Sequence, residues 1–286
     1  MKFGLGTVQL GLEYGINNRV GKPSEYNAHR IIDYAYKNGV NSLDTAAAYG
    51  SSESIVGKFI RNSEADPEIK VSTKISDFSY ENAMNSFYRL GKKIDYLLFH
   101  ELDNLIRNSA TVSPIVEKLK KDSIIDKIGV SIYSPEDMMS ACNYLDIDII
   151  QAPFNVFDAR IMKPDYLSIM KKSHIELHTR SVFLQGLLLM EVSEIPGYLH
   201  DSCKYIDKYN ELCNETGYTQ AQLAFLYVRD NNALSHFFVG CETLEQLHEN
   251  LEINKMPHLA NAIICEIEGL FNDLPESIIN PSLWRR

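Results

Sequence analysis

Apolar residues along the chain alternate between two spacings. Short dense runs at 3–10, 40–43, 69–75, 94–99, 125–130, 147–152, 175–179 and 237–239 have the length and composition of buried strands. Between them, apolar positions return every three or four residues. Ala28, Ile31, Ile32, Ala35 and Tyr36 form one such stripe, opened by Ser24 and closed by Asn38-Gly39; Ile55, Val56, Phe59 and Ile60 form the next, after Ser51 or Ser52 as cap. Further helices are expected over 79–90 (stopped by Gly91), about 112–121, from Ser134-Pro135-Glu136 with Pro at the first position, and over 165–172, 204–214, 219–229, 243–251 and 259–271.

Eight strands alternating with helices imply parallel pairing, because each crossover must return over the sheet. Linkers are short and evenly spread, with no Gly/Ser-rich hinge. The expected fold is α/β, a closed (β/α)8 TIM barrel forming one domain over residues 1–286, a length suited to a fold of about 250 residues. No GxGxxG follows the first strand, which argues against an open dinucleotide fold.

A net charge of -10 excludes nucleic acid as the main partner, since phosphate binding needs a basic face. Cys142, Cys203, Cys213, Cys241 and Cys265 show no CxxC or metal-ligand spacing and read as reduced thiols. Met1-Lys2 runs straight into an apolar stretch without a leader pattern, and no apolar run approaches the roughly 18 residues of a membrane span. A soluble, cytoplasmic protein with no membrane partner is expected. No heptad or exposed apolar stripe fixes an oligomeric state.

Polar residues that interrupt apolar strand ends carry the candidate chemistry, because barrels place function at the C-terminal ends of different strands. Asp44 ends the second strand and Tyr49 sits in its loop; Lys74 ends the third and His100 follows the fourth. Each alone reads more readily as a turn, paired or core residue than as a catalyst. Together they suit proton delivery to a carbonyl: an ammonium lowers a phenol's pKa, a carboxylate holds the ammonium, and a neutral imidazole orients the oxygen. No metal is needed, but the hydride must come from a cofactor.

The segments LDTAAAYGSSESIVG, VSTKI, DYLLFH, IGVSIYSPED, QAPFN and VGCETLEQLHENL, in that order, resemble the aldo-keto reductase superfamily across nearly the whole chain. The resemblance implies a (β/α)8 barrel that reduces an aldehyde or ketone with NAD(P)H. It implies Tyr49 as acid/base, Lys74 as its pKa-lowering partner, Asp44 as the anchor of Lys74, and His100 as the substrate-orienting group. Gly240 and the Thr243-capped helix suit the adenosine end, with Asn250 at the adenine, while Ser131 and Gln151 correspond to carboxamide contacts.

Three positions depart from the family pattern. Ile132 replaces a carboxamide-binding asparagine, and Arg180 stands where an aromatic residue stacks on nicotinamide. Gly240, Cys241 and Gln246 replace basic 2′-phosphate contacts, with Glu242 and Glu245 close by. The expected cofactor is NADP(H), with NAD(H) admitted because those basic contacts are missing; Lys204 or Lys208 would be alternative phosphate ligands. The substrate pocket is expected around Tyr14, Phe99, Glu101, Tyr133, Phe154 and Phe157. Glu101 admits a polar substrate such as a sugar or simple solvation, and the tail with Trp284 and Arg285-Arg286 is either folded over the mouth or free. A dinucleotide-binding redox-sensing subunit and a Schiff-base lysine enzyme are the alternative functions.

Overall fold

The computed structural model of the protein describes residues 2–63 and 68–284, so Met1, Arg285 and Arg286 lie outside it. Eight strands are present: β1 (Phe3–Gly6), β2 (Ser42–Asp44), β3 (Lys70–Ile75), β4 (Ile94–Phe99), β5 (Ile125–Ser131), β6 (Ile149–Pro153), β7 (Glu176–Arg180) and β8 (His236–Gly240). They pair in parallel and in chain order, and the barrel closes through Phe3↔Phe237 to Gly6↔Gly240. Helices cover the outside.

Caps fall largely where the sequence places them. The Ser24 and Ser79 side chains accept from Asn27 N and Asn82 N, and Gly91 ends the helix Tyr80–Leu90 with φ 72. Differences have local causes. β1 stops at Gly6 because the backbone turns at Thr7 (φ -114, ψ 11), whose amide and hydroxyl both bind the Asp44 carbonyl at 2.9 Å each; Val8–Gly11 then coils into a short helix. The helix expected from about 112 begins at Leu102, and its buried residues Leu105, Val112, Val116 and Leu119 keep helical spacing. Polar residues between them, and Pro114, disguise that stripe. Pro135 is the residue before the helix Glu136–Cys142 rather than its first residue. Among the described residues, no helix is long and apolar enough to cross a membrane.

Strand alternation divides the interior in two. Residues on the outward face, such as Leu5, Val71, Leu97, Val130 and Ile150, join the large core between strands and helices. The opposite set points into the barrel. Tyr96 (β4) meets His178 (β7) ring to ring at 5.0 Å, and Gln151 (β6) reaches Asp44 (β2) at 2.7 Å, contacts possible only across the lumen. The inward set therefore includes Asp44, Lys74, Ser131, Gln151, Arg180 and Gly240 toward the C-terminal end of the strands, and Tyr96, His178 and His236 nearer the other.

Candidate active site

The centre of the site is a buried ion pair. Asp44 and Lys74 share an inward face of neighbouring strands, and Lys74 Nζ donates to Asp44 Oδ2 at 2.6 Å and to Thr45 O at 3.0 Å. Gln151 Nε2 donates to the other carboxylate oxygen, Oδ1, at 2.7 Å. Lys74 is 1% exposed and Asp44 5%, so neither charge has water as an alternative partner.

Tyr49 stands over this pair on a loop that follows the edge of β3: Thr45 N binds Ser72 O and Ala47 N binds Lys74 O. Two glycines hold the loop down. A Cβ on Gly11 would lie 1.9 Å from Tyr49 O, and Gly50, with φ +55, packs against Gly11 O. Beneath them Thr45 Oγ1 donates to Ser52 Oγ and Ser52 Oγ to Thr7 O. Ser52 is thus the first helical residue and a strut, and the Ser51 side chain caps nothing.

Lys74 Nζ lies 5.2 Å from the Tyr49 ring centroid, and the His100 ring meets Tyr49 edge-on at 5.9 Å. His100 is fixed by its amide on Ile75 O at 3.0 Å. Burial, then the charges of Lys74 and Arg180, lower its pKa to about 4, so the imidazole is neutral at pH 7. Burial also lowers Lys74, with Asp44 opposing. The phenol differs from expectation. Burial pushes Tyr49 above its ordinary value, the Asp44 charge adds to this, and Arg180 is the cation that opposes it. Lys74 Nζ is bound to the carboxylate beside it, and burial outweighs the cations around the phenol. Tyr49 keeps its proton throughout the neutral range.

A cavity of ≈ 370 Å³ opens above these groups. Asp44, Tyr49, His100, Ser131, Arg180, Gly240, Glu242, Gln246 and Asn250 line it, while Lys74 and Gln151 lie beneath. Gln151 Oε1 is buried without a hydrogen-bond partner, as is Gln9 Oε1 on the cavity wall. Arg180 stacks at 4.4 Å on Tyr133 and donates to Ile132 O at 3.1 Å, so its guanidinium is tied to the loop after β5. Gln246 spends its side chain in a capping box, accepting from Glu242 N at 2.8 Å while Thr243 Oγ1 accepts from Gln246 N.

Several expected wall residues are elsewhere. Cys241 is buried off the cavity. Phe99 stacks on Phe78, while Phe154 packs tilted against Tyr227 and Phe157 against Phe271, all in the outer core. Glu249, not Glu245, lines the cavity, because it shares a helical face with Gln246 and Asn250. Lys204 lies over the Tyr205 ring and Lys208 is also off the wall. The tail is folded: Pro281 and Ser282 line the cavity, and Trp284 Nε1 donates to Ile278 O. Thr7, Gln9, Asn17, Asn18 and Gln185 also line it without being anticipated.

Fold and site together define a parallel β/α barrel with a buried Lys–Asp pair, a tyrosine and a neutral histidine gathered at one mouth. The Aldo/keto reductase family model matches residues 2–270, and the chain belongs to that family. It is 29% identical over 210 residues to the aldo-keto reductase YhdN of Bacillus subtilis, covering 68% of this chain and 61% of that one. It is 24% identical over 260 residues to the NADH-specific methylglyoxal reductase of Escherichia coli, covering 76% and 79%. Among solved structures, an aldo-keto reductase from Bacillus halodurans in its holo form superposes with a TM-score of 0.77 at 21% identity, covering 98% and 95% of the two chains; this likeness concerns the fold.

Proposed function

We propose that this protein reduces a small polar aldehyde or ketone to the alcohol with a nicotinamide dinucleotide. The observation that carries the reading is the convergence of Tyr49 and His100 on one cavity wall, above the Lys74–Asp44 pair. The dinucleotide fits the residues present. Ser131 and the unpaired Oε1 of Gln151 suit a carboxamide at one end, and Gly240, Asn250 and the helix opened by Thr243 suit the adenosine at the other. When bound, it supplies the hydride to the carbonyl carbon.

The chain's own groups do the rest. Neutral His100 donates an N–H to the carbonyl oxygen and orients it. As negative charge develops there, Tyr49 passes its phenolic proton to the same oxygen and regains one from solvent. Lys74 compensates the phenolate formed transiently, and Asp44 holds Lys74 in register. A phenol kept protonated favours reduction over alcohol oxidation, which needs the phenolate as base.

NADH is the better-matched nucleotide. Arg180 is the only Lys or Arg on the cavity wall among the described residues, whereas Asp44, Glu101, Glu242 and Glu249 supply carboxylates. A carboxylate suits a ribose diol and repels a 2′-phosphate. The NADH specificity in the name of the Escherichia coli relative supports the same reading. Steady oxidation of NADH with a panel of short aldehydes and hydroxyketones, lost in Tyr49→Phe, is the expected result. Turnover unaffected by that substitution would refute the mechanism; tighter fluorescence-titrated binding of NADPH than of NADH would refute the nucleotide assignment.

A further inference from the structure

At the other end of the barrel from Tyr49 lies a second set of chemically capable side chains. Glu176 opens β7, His178 follows two residues later on the same inward face, and His236 opens β8 opposite His178. One ligating atom from each lies within 4.8 Å of the others. His178 is fully buried, edge-on to Tyr96 at 5.0 Å and to His236 at 4.8 Å. Its Nδ1 has no hydrogen-bond partner, nor has His236 Nδ1, and the polar group nearest its Nε2 is the Glu176 carboxylate. Phenylalanine would fill such a position without stranding polar atoms, as Phe238 does beside it.

We propose that Glu176, His178 and His236 form a binding site for a divalent transition-metal ion of the zinc, cobalt or nickel type. His178 Nε2 stands 3.4 Å from Glu176 Oε2. Two ligands on a tetrahedral ion with bonds of about 2.1 Å are separated by about the same distance. Two imidazoles and a carboxylate are donors these ions take, whereas calcium and magnesium favour all-oxygen shells. Lys127 pairs with the other carboxylate oxygen, Oε1, so Oε2 is left for the ion. That nearby ammonium weakens the affinity without blocking the position. Glu176 and His236 are partly exposed, so an ion enters without passing the catalytic cavity. The β7–β8 ladder contains only His178↔His236 and Thr179↔Phe237, and an ion held by both strands closes a short seam.

The test uses the full chain, stripped of metal and titrated with Co2+ alone. One Co2+ per chain should bind, with the visible absorption of a tetrahedral nitrogen/oxygen site, raise the melting temperature and be displaced by Zn2+. His236→Phe keeps the stacking on Phe238, and Glu176→Gln keeps a partner for Lys127. Each should weaken Co2+ binding by about tenfold or more while leaving the far-UV spectrum unchanged. X-ray absorption on the wild-type complex, which needs no variant to fold, should report two imidazoles and no sulfur. Absence of binding, a thiolate charge-transfer band, or variants that bind as tightly as the wild type would overturn the proposal.

Discussion

Replacing Lys74 with methionine isolates what holds the catalytic mouth together. The side chains are close in length, so the change leaves little void. It strips Asp44 Oδ2 of a donor at 2.6 Å and Thr45 O of one at 3.0 Å, and leaves Gln151 as the carboxylate's remaining partner. With Lys74 1% and Asp44 5% exposed, water cannot take over. Removing one member of a buried pair costs about 3–5 kcal/mol, mostly from the stranded charge. The 286-residue chain has an unfolding entropy of about 0.6 kcal/mol/K, taking ~2.1 cal/mol/K per residue, so the melting temperature should fall by about 5–8 °C. Differential scanning calorimetry on Lys74→Met and on Asp44→Asn/Lys74→Met reads this directly. The double variant should recover at least about half of the loss, because its remaining amide carries no charge. A single variant melting within about 1 °C of the wild type, or a double variant no more stable than the single, would refute the reasoning.

Three further outcomes follow from the site. Reduction needs a protonated phenol and a neutral imidazole; with Tyr49 raised by burial and His100 lowered to about 4, kcat/KM should be flat from about pH 5 to about pH 9 and fall only outside that window. A midpoint near 7 in a stopped-flow pH series would contradict this. Gly11→Ala forces a Cβ to 1.9 Å from Tyr49 O, so the loop must shift; kcat should drop by about 100-fold in steady-state assays, with KM little changed. Glu242→Gln with Glu249→Gln removes two carboxylates from the wall and should improve NADPH binding relative to NADH by about fivefold in fluorescence titrations.

The barrel was legible because its strands are dense apolar runs and their polar terminators stand out. Asp44, Lys74 and His100 are visible for that reason, and the structure puts all three at one mouth with Tyr49. Register was harder. Phe99, the last residue of β4, and Phe154, just after β6, face outward, one residue out of step with His100 and Pro153, so counting parity from Tyr96 and Gln151 would have placed them in the core. The same count would have aligned Glu176, His178 and Arg180 on one inward line. Glu249 was missed for a helical version of this reason: it, rather than Glu245, shares the face of Gln246 and Asn250. Other residues left no local signal. Gln9, Asn17 and Gln185 reach the cavity from short turns and loops between the strands and main helices, whose paths depend on distant contacts such as Ile16 N on Gln185 O at 3.0 Å. The raised phenol of Tyr49 likewise depends on how deeply its loop is buried and how near Asp44 stands, which no spacing encodes.

The two-residue alternation that aims side chains into the lumen also sets what kinds of genetic change the molecule withstands. Deleting one residue between Glu176 and Arg180 would break their common alternation, so that the inward residues on one side of the deletion turn outward while those on the other keep their place. Variation in this lineage should therefore accumulate as point substitutions at the rim and as length changes in the connecting loops, while the span between Glu176 and Arg180 keeps its count.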